Sequence, residues 1–474
     1  MNCIPVIGLE IHAELLTKTK IFCSCKNEFG KETNTLVCPI CSGMPGSLPV
    51  LNKKAVELAI KSGLVLDCKI NNNSSFDRKN YFYPDLPKGY QITQFYHPIC
   101  ENGYVMINDK KIEIERIHLE EDAGKLIHCD DSSLIDYNRC GVPLIEIVTK
   151  PDFRSSTDVC DFIREISLRL KYADICDAKL EQGSLRVDIN ISVMEENSSI
   201  FGTRAEIKNL NSIKAIAQAI EYEIKRQSDL ILNGEKVKLE TRRFDENSEK
   251  TISMRTKESV SDYRYFPEPD LPSLHVTDEE ISYLKKQLPE MPQQRLSRYI
   301  NVYNLSYDEA QLIINRKTIS DFYDTAVLLY PSYKTIANII LIEINRNLNQ
   351  KDITFENIPF KPDAVSEIAK LYDDKKISKN ALCEIIKLMF ENDKKPYDIA
   401  VSNNLLMQDN TEDIDSSVKK IISENKQAVN EYNNGNNKAF TFLMGQVMRK
   451  AGKGTNPNTV TKLLKQNLST FLSN

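Results

Sequence analysis

The sequence predicts an α+β fold: a cradle built on a largely antiparallel sheet, then an all-α helical domain, then a small α-helical tail domain. Three observations carry this reading. Segments at 6–15, 115–122, 142–148 and 186–193 are strand-like. Most of them alternate apolar and polar side chains, the period of a half-buried strand. Alternation, rather than continuous apolar runs, marks an antiparallel sheet with one face in water. From about 294 to 405 apolar residues instead recur three and four apart, as in 336–348 and 364–389, which is the helical period. Between these regions lie two proline-rich stretches, 266–272 and 288–292, that break any helix and read as a semi-rigid connection. The expected boundaries are 1–293, 294–407 and 408–474, with a polar stretch at 408–417 read as the linker to the tail.

Composition supports cores of ordinary size. The chain has 474 residues, 41% hydrophobic and 27% charged, which excludes a disordered tail protein, a collagen and a small disulfide scaffold. Lys+Arg (62) nearly balances Asp+Glu (67), for a net charge of −5. Coating nucleic acid through bulk positive charge is thereby excluded, and only a local basic patch is left open. No run of 18 apolar residues occurs, so no membrane span is expected. The opening MNCIPVIGLEIHAEL has no basic segment before an apolar one, so no secretory signal is expected. The twelve cysteines are accordingly read in a reducing cytoplasm, as metal ligands or buried thiols.

Taken in chain order, the first strand points Ile7, Leu9 and Ile11 one way and Glu10, His12 and Glu14 the other. Next come Cys23-Ser-Cys25 and Cys38-Pro-Ile-Cys41. Two close thiol pairs across a short loop match a tetrahedral structural zinc site, which has no open position for catalysis. The alternative is four buried free thiols. A basic, aromatic loop follows from Phe76 to Tyr90 and a second from Gly202 to Asn211. Lys79, Lys88, Arg204, Lys208 and Asn209 there are donors for phosphates, and the tyrosines are stacking surfaces for bases. A solvated loop is the plainer reading. In 115–122 the strand presents His118 and Glu120 on one side, with Glu121 and Asp122 at its end. Glu146 interrupts the apolar run Leu-Ile-Glu-Ile-Val, and Asp188 alternates with Val187 and Ile189. Four segments thus present carboxylates from a pleated surface. Carboxylates crowded on one face repel unless a cation sits among them, and Mg2+ carrying a nucleotide is the usual answer. The chain contains no GxxxxGK[ST] phosphate loop. Last, residues 436–474 hold six Lys or Arg and no Asp or Glu, with Arg449, Lys450, Lys453 and Lys462 among them. That is either a solvated helical face or a patch for RNA phosphates.

Eight motifs in order carry a family resemblance. They are Val6-Ile-Gly-Leu-Glu-Ile-His12, the Phe76–Pro84 segment FDRKNYFYP, Leu119-Glu-Glu-Asp-Ala-Gly-Lys125, Pro143-Leu-Ile-Glu-Ile-Val148, Gly183-Ser-Leu-Arg-Val-Asp188, Glu206-Ile-Lys-Asn-Leu-Asn-Ser212, Glu240-Thr-Arg-Arg-Phe-Asp245 and Asp262-Tyr-Arg-Tyr-Phe-Pro-Glu-Pro-Asp270. Together they resemble the B subunits of bacterial glutamyl/aspartyl-tRNA amidotransferases. The likeness extends into the tail through Leu443-Met-Gly-Gln-Val-Met448 and the segment from Asn456 to Leu464.

The resemblance implies a cradle like that of glutamine synthetase and a YqeY-like tail. It implies that ATP phosphorylates the side-chain carboxylate of Glu-tRNA(Gln) or Asp-tRNA(Asn). Ammonia channelled from a glutaminase A subunit would then displace the phosphate, a small C subunit completing a heterotrimer. It implies Glu10, His12, Glu121 and Glu146 as catalytic Mg2+ ligands with Glu120 and Asp188 beside them, and Lys79, Lys88, Arg204, Lys208 and Asn209 at ATP and substrate. It also implies zinc on Cys23, Cys25, Cys38 and Cys41, and tRNA on Arg449, Lys450, Lys453 and Lys462. A competing reading is a non-catalytic, zinc-braced scaffold that only presents tRNA.

Overall fold

The computed structural model describes residues 3–196, 198, 200–256, 263–407, 411–451 and 457–471. The chain divides into two compact units, Met1–Pro292 and Gln293–Asn474.

The first unit is α+β. Its centre is a nine-stranded sheet whose neighbouring strands run, from one edge, Lys250–Thr256, Glu240–Asp245, Ala205–Lys208, Leu185–Glu195, Cys3–Glu14, Pro143–Thr149, Lys110–Glu121, Cys100–Ile107 and Lys69–Ile70. Every pairing in it is antiparallel except that of Ala205–Lys208 with Glu240–Asp245. The strands read from alternation therefore form, and they occupy the middle of the sheet. Alternation also sorts the two faces. Ile7, Leu9, Ile11, Ile117, Leu119, Val187 and Ile189 are buried in one continuous core with Leu58, Phe162 and Ile216. The last three belong to helices Lys53–Val65, Ser156–Tyr172 and Ile213–Leu232, which cover that face. Side-chain oxygens of Asn52, Ser155 and Ser212 accept from the first-turn amides of these helices, satisfying donors with no intrahelical partner. The opposite face carries the polar residues.

The stretch 266–272, expected as a connection, is instead part of this unit. Phe266–Pro267 pairs with Asp77–Asn80, which pairs with Tyr90–Thr93, in a three-stranded sheet. Glu268 is buried and takes a forked ion pair from Arg78 (2.8 and 2.9 Å). Proline fits there because an edge position needs no ladder donor.

The second unit is helical. The run expected at 336–348 is helical from Tyr333 to Lys351 but passes through a π-helical turn at Ile339–Ile344, whose altered phase lets Ile339, Ile340 and Ile344 all be buried. The run expected at 364–389 is two helices, Pro362–Asp373 and Lys379–Met389. Lys375 between them has φ of 56°, and Ser378 caps the second. Of the polar stretch read as a linker, residues from Thr411 onward form the helix Thr411–Glu424, because Ile414, Val418, Ile421 and Ile422 line one face of it. The apolar residues of this unit form two clusters, one drawn from 296–405 and one from 414–468. Lys453 and Asp262 lie outside the described residues. Among the described residues no helix is long and apolar enough to cross a membrane.

Candidate active site

Register on the polar face decides which residues meet. His12 stands opposite Glu146 on one neighbouring strand and Arg186 on the other, and Glu146 stands opposite His118. Glu120 is one pleat further along the same face. The result is a tight acidic and imidazole group: His12 Nε2 lies 3.4 Å from both Glu120 and Glu146, and His118 Nε2 lies 3.3 Å from Glu146. Glu120, Glu146 and His118 are buried. Burial opposes charge on both imidazoles, but the Glu146 and Glu120 carboxylates overcome it, raising His12 and lifting His118 to about 9. In return Glu146 is held well below the usual carboxylate range despite its burial, by His118 and His12.

A second acidic group adjoins the first. Glu10, opposite Asp188 in the register, gathers with Asp188 and Glu206. Asn190 donates to Glu10 (2.9 Å), and Lys208 bridges Asp188 (2.6 Å) and Glu206 (2.9 Å). Burial and the nearby Glu146 charge raise Glu10 above its ordinary value. In each group one ligand atom per residue can be chosen so that all lie within 4.8 Å of one another.

Both groups open onto cavities of about 490 and 240 Å3 that share His12, Lys79, Asp188 and Lys208 as lining. Burial would lower the Lys79 ammonium, but Glu120 and Glu146 outweigh it and keep it charged, 5.1 Å from the centre of the Tyr263 ring. Asn209, with φ of 61°, lines the larger cavity, and exposed Arg204 lines the smaller.

Glu10, His12, Glu120, Glu146, Lys79, Asp188, Lys208, Arg204 and Asn209 are thus brought to one basin. Glu121 and Lys88 are not. Glu121 has the parity of Ile117 and Leu119, so it leaves the strand on the other face. There it accepts from Lys88 and from the Ile92 amide (2.9 Å), lining a third cavity of about 190 Å3 with Cys23 and Cys41. His118, Asn190, Glu206 and Arg186 belong to the basin and were not among the predicted ligands. The signal for His118, Asn190 and Arg186 was their phase, which matches that of Glu120 and Asp188 on the same strands, whereas Glu206 joins through its register opposite Asn190.

Cys23, Cys25, Cys38 and Cys41 stand close together, an arrangement compatible with zinc. Cys41 Sγ accepts from the Cys38 amide (3.2 Å) and the Lys20 ammonium (3.6 Å). A hydrogen bond from Cys23, the Cys38 amide and Lys20 hold the Cys41 thiol far below its ordinary value, while Cys23 is raised.

In the tail, Arg449, Lys450 and Lys462 are exposed on the helices Asn437–Ala451 and Pro457–Phe471. Lys450 pairs with Glu424 (3.2 Å).

Comparison with known proteins places this geometry. Residues 5–282 match the GatB/GatE catalytic domain, and residues 321–468 match the GatB domain. The chain is 48% identical to the aspartyl/glutamyl-tRNA(Asn/Gln) amidotransferase B subunit of Ruminiclostridium cellulolyticum, over 99% of this chain and 98% of the relative. It is 48% identical to the corresponding B subunit of Caldicellulosiruptor bescii (98% of each chain) and 47% identical to that of Thermoanaerobacter pseudethanolicus (98% and 99%). A likeness of this extent, with the polar sheet face inside the matched catalytic region, establishes that the chain belongs to the GatB family of amidotransferase B subunits.

Proposed function

We propose that this chain phosphorylates the side-chain carboxylate of a glutamyl or aspartyl group carried on tRNA(Gln) or tRNA(Asn), and then replaces the phosphate with ammonia. The carrying observation is the pairing of two acidic groups on one sheet face, each with donor atoms within 4.8 Å, around a basin that also holds Lys79 and Lys208. A carboxylate is a poor electrophile because oxide would have to leave. In the first step a carboxylate oxygen attacks the γ-phosphorus of ATP and ADP departs. In the second, ammonia attacks the acyl carbon, and phosphate leaves carrying one ammonia proton.

The donor set fits a divalent cation: two carboxylates with an imidazole in one group, three carboxylates in the other. His12, Glu120 and Glu146 would hold one Mg2+, and Glu10, Asp188 and Glu206 a second. Mg2+ there would supply neutralisation of charge on the transferring phosphoryl group. Lys79 and Lys208 contribute fixed positive charge, and Asn209 and Arg204 stand at the rim as donors to phosphate. Glu121 and Lys88 act from the far face, bracing the strand end beside the cysteine loop. A glutaminase A subunit supplies the ammonia, a C subunit completes the complex, and Arg449, Lys450, Lys453 and Lys462 hold the tRNA body. The relatives are themselves named as subunits, which supports assembly with partners.

The test is amidation of mischarged tRNA by the purified complex with ATP, Mg2+ and ammonium chloride. Glu146→Gln abolishes amidation while glutamine hydrolysis by the partner persists. Undiminished amidation in that variant would leave only the scaffold reading.

A further inference from the structure

The basin needs a group that receives the carboxylate to be amidated, since the acidic side chains around it repel that carboxylate. Among the described residues four cationic side chains line the larger cavity: Lys79, Arg139, Arg186 and Lys208. Three have their charge directed elsewhere. Lys208 is held between Asp188 and Glu206. Arg139 donates to the carbonyls of Ala123 (3.0 Å) and Gly124 (2.7 Å) and pairs with Asp122. Lys79 lies among aromatic rings, facing the charges of Glu120 and Glu146.

Arg186 differs. One terminal nitrogen is anchored by buried Asp122 (2.8 Å), while its Nε is buried with no hydrogen-bond partner among the described residues. Its strand position, directly opposite His12, sets it beside the first acidic group. Held by Asp122 at the cavity wall, the guanidinium keeps terminal donors that Asp122 does not take, and a ligand carboxylate can pair with them. The nearby lining selects among anions. The lining also includes Leu144 and Leu180, apolar contacts suited to the methylenes of an acyl side chain and unsuited to a triphosphate.

We propose that Arg186 binds the side-chain carboxylate of the aminoacyl group and presents it to the His12, Glu120 and Glu146 cluster. This rests on the reaction proposed above. Asp122 is a positioning residue that holds the guanidinium in place, and the planar fork makes Arg rather than Lys the fitting residue.

The experiment is steady-state amidation by the whole complex with ammonium as nitrogen donor, varying charged tRNA and ATP separately. Uncharged tRNA is added as a competitive inhibitor. Arg186→Lys keeps the charge and removes the fork. It raises KM for charged tRNA roughly 10- to 100-fold, leaving KM for ATP and Ki for uncharged tRNA within about twofold. Asp122→Asn, with Arg186 intact, produces the same selective loss at smaller size. An unchanged KM for charged tRNA overturns the assignment, as does an equal loss for charged and uncharged tRNA or a loss confined to ATP. A parent complex that amidates nothing refutes the proposed reaction and this assignment together, whereas an amidating parent with an indifferent Arg186→Lys refutes this assignment alone.

Discussion

Lys20 offers the sharpest prediction outside the basin. Its side chain is fully buried, and its ammonium donates to the Leu36 carbonyl (2.7 Å), the Tyr137 carbonyl (3.3 Å) and Cys41 Sγ (3.6 Å). Burying an ammonium is costly unless negative charge meets it, and four thiolates on one zinc ion carry a formal excess of two negative charges. With zinc bound there, Lys20 would offset one of them. Lys20→Met keeps the apolar stem and deletes the charge. Outer partners of metal ligands govern affinity by about 10- to 100-fold, or roughly 1.4–2.7 kcal/mol. The two abandoned carbonyls add about 1–3 kcal/mol of destabilisation each if no water reaches them. The assay is zinc competition against a chromophoric chelator on the intact complex, with Cys25→Ser as the variant that loses a ligand outright. Lys20→Met should release zinc at a chelator concentration between those needed for the parent and for Cys25→Ser. Zinc retention equal to the parent in a folded Lys20→Met protein would refute the electrostatic role.

Other expectations follow from buried contacts and surface charge. Burial would raise the Glu223 carboxyl, but hydrogen bonds from Arg226, Thr251 and Gln227 hold it below its ordinary value of 4.5. Its contribution is therefore complete above pH 4.5 and is lost as pH falls through the lowered folded value. Glu223→Gln should cost about 3 kcal/mol at pH 7 and flatten the loss of stability below pH 4.5 in denaturant titrations, whereas parallel acid profiles would argue against it. At Gly202 a Cβ would lie 2.2 Å from the Val193 carbonyl oxygen, which backbone cannot yield. Gly202→Ala should destabilise by about 1–3 kcal/mol, read by chemical denaturation, and an unchanged midpoint would refute the close approach. Arg449→Ala and Lys462→Ala should each weaken tRNA binding and reduce the slope of log affinity against log salt by about 1. An unaltered slope would place the RNA elsewhere.

The sheet was legible where side chains alternate strictly. Leu185–Glu195 and Cys3–Glu14 show both faces in sequence, and those faces became core and basin. Strand order and register were not legible, because alternation fixes the face of a residue but not its neighbour on the next strand. Glu121 illustrates the limit. Parity alone assigns Glu120 to the side of His118, yet two adjacent glutamates at a strand end leave the ligand ambiguous until the strand is continuous through both. Arg186 was readable as a polar position, but its anchor exists only once Asp122 is placed 64 residues away in sequence. The proline stretch misled for a related reason: chemistry that breaks a helix also suits an edge strand, and only the Arg78 partner distinguishes them.

That partner has a consequence for biosynthesis. Arg78 precedes Lys79, and its clamp on Glu268 joins positions separated by 190 residues. A chain leaving the ribosome from its amino end therefore exposes the strand bearing Lys79 long before its fastening exists. The clamp beside Lys79 can close only after the 268 region emerges, and fragments ending earlier lack it.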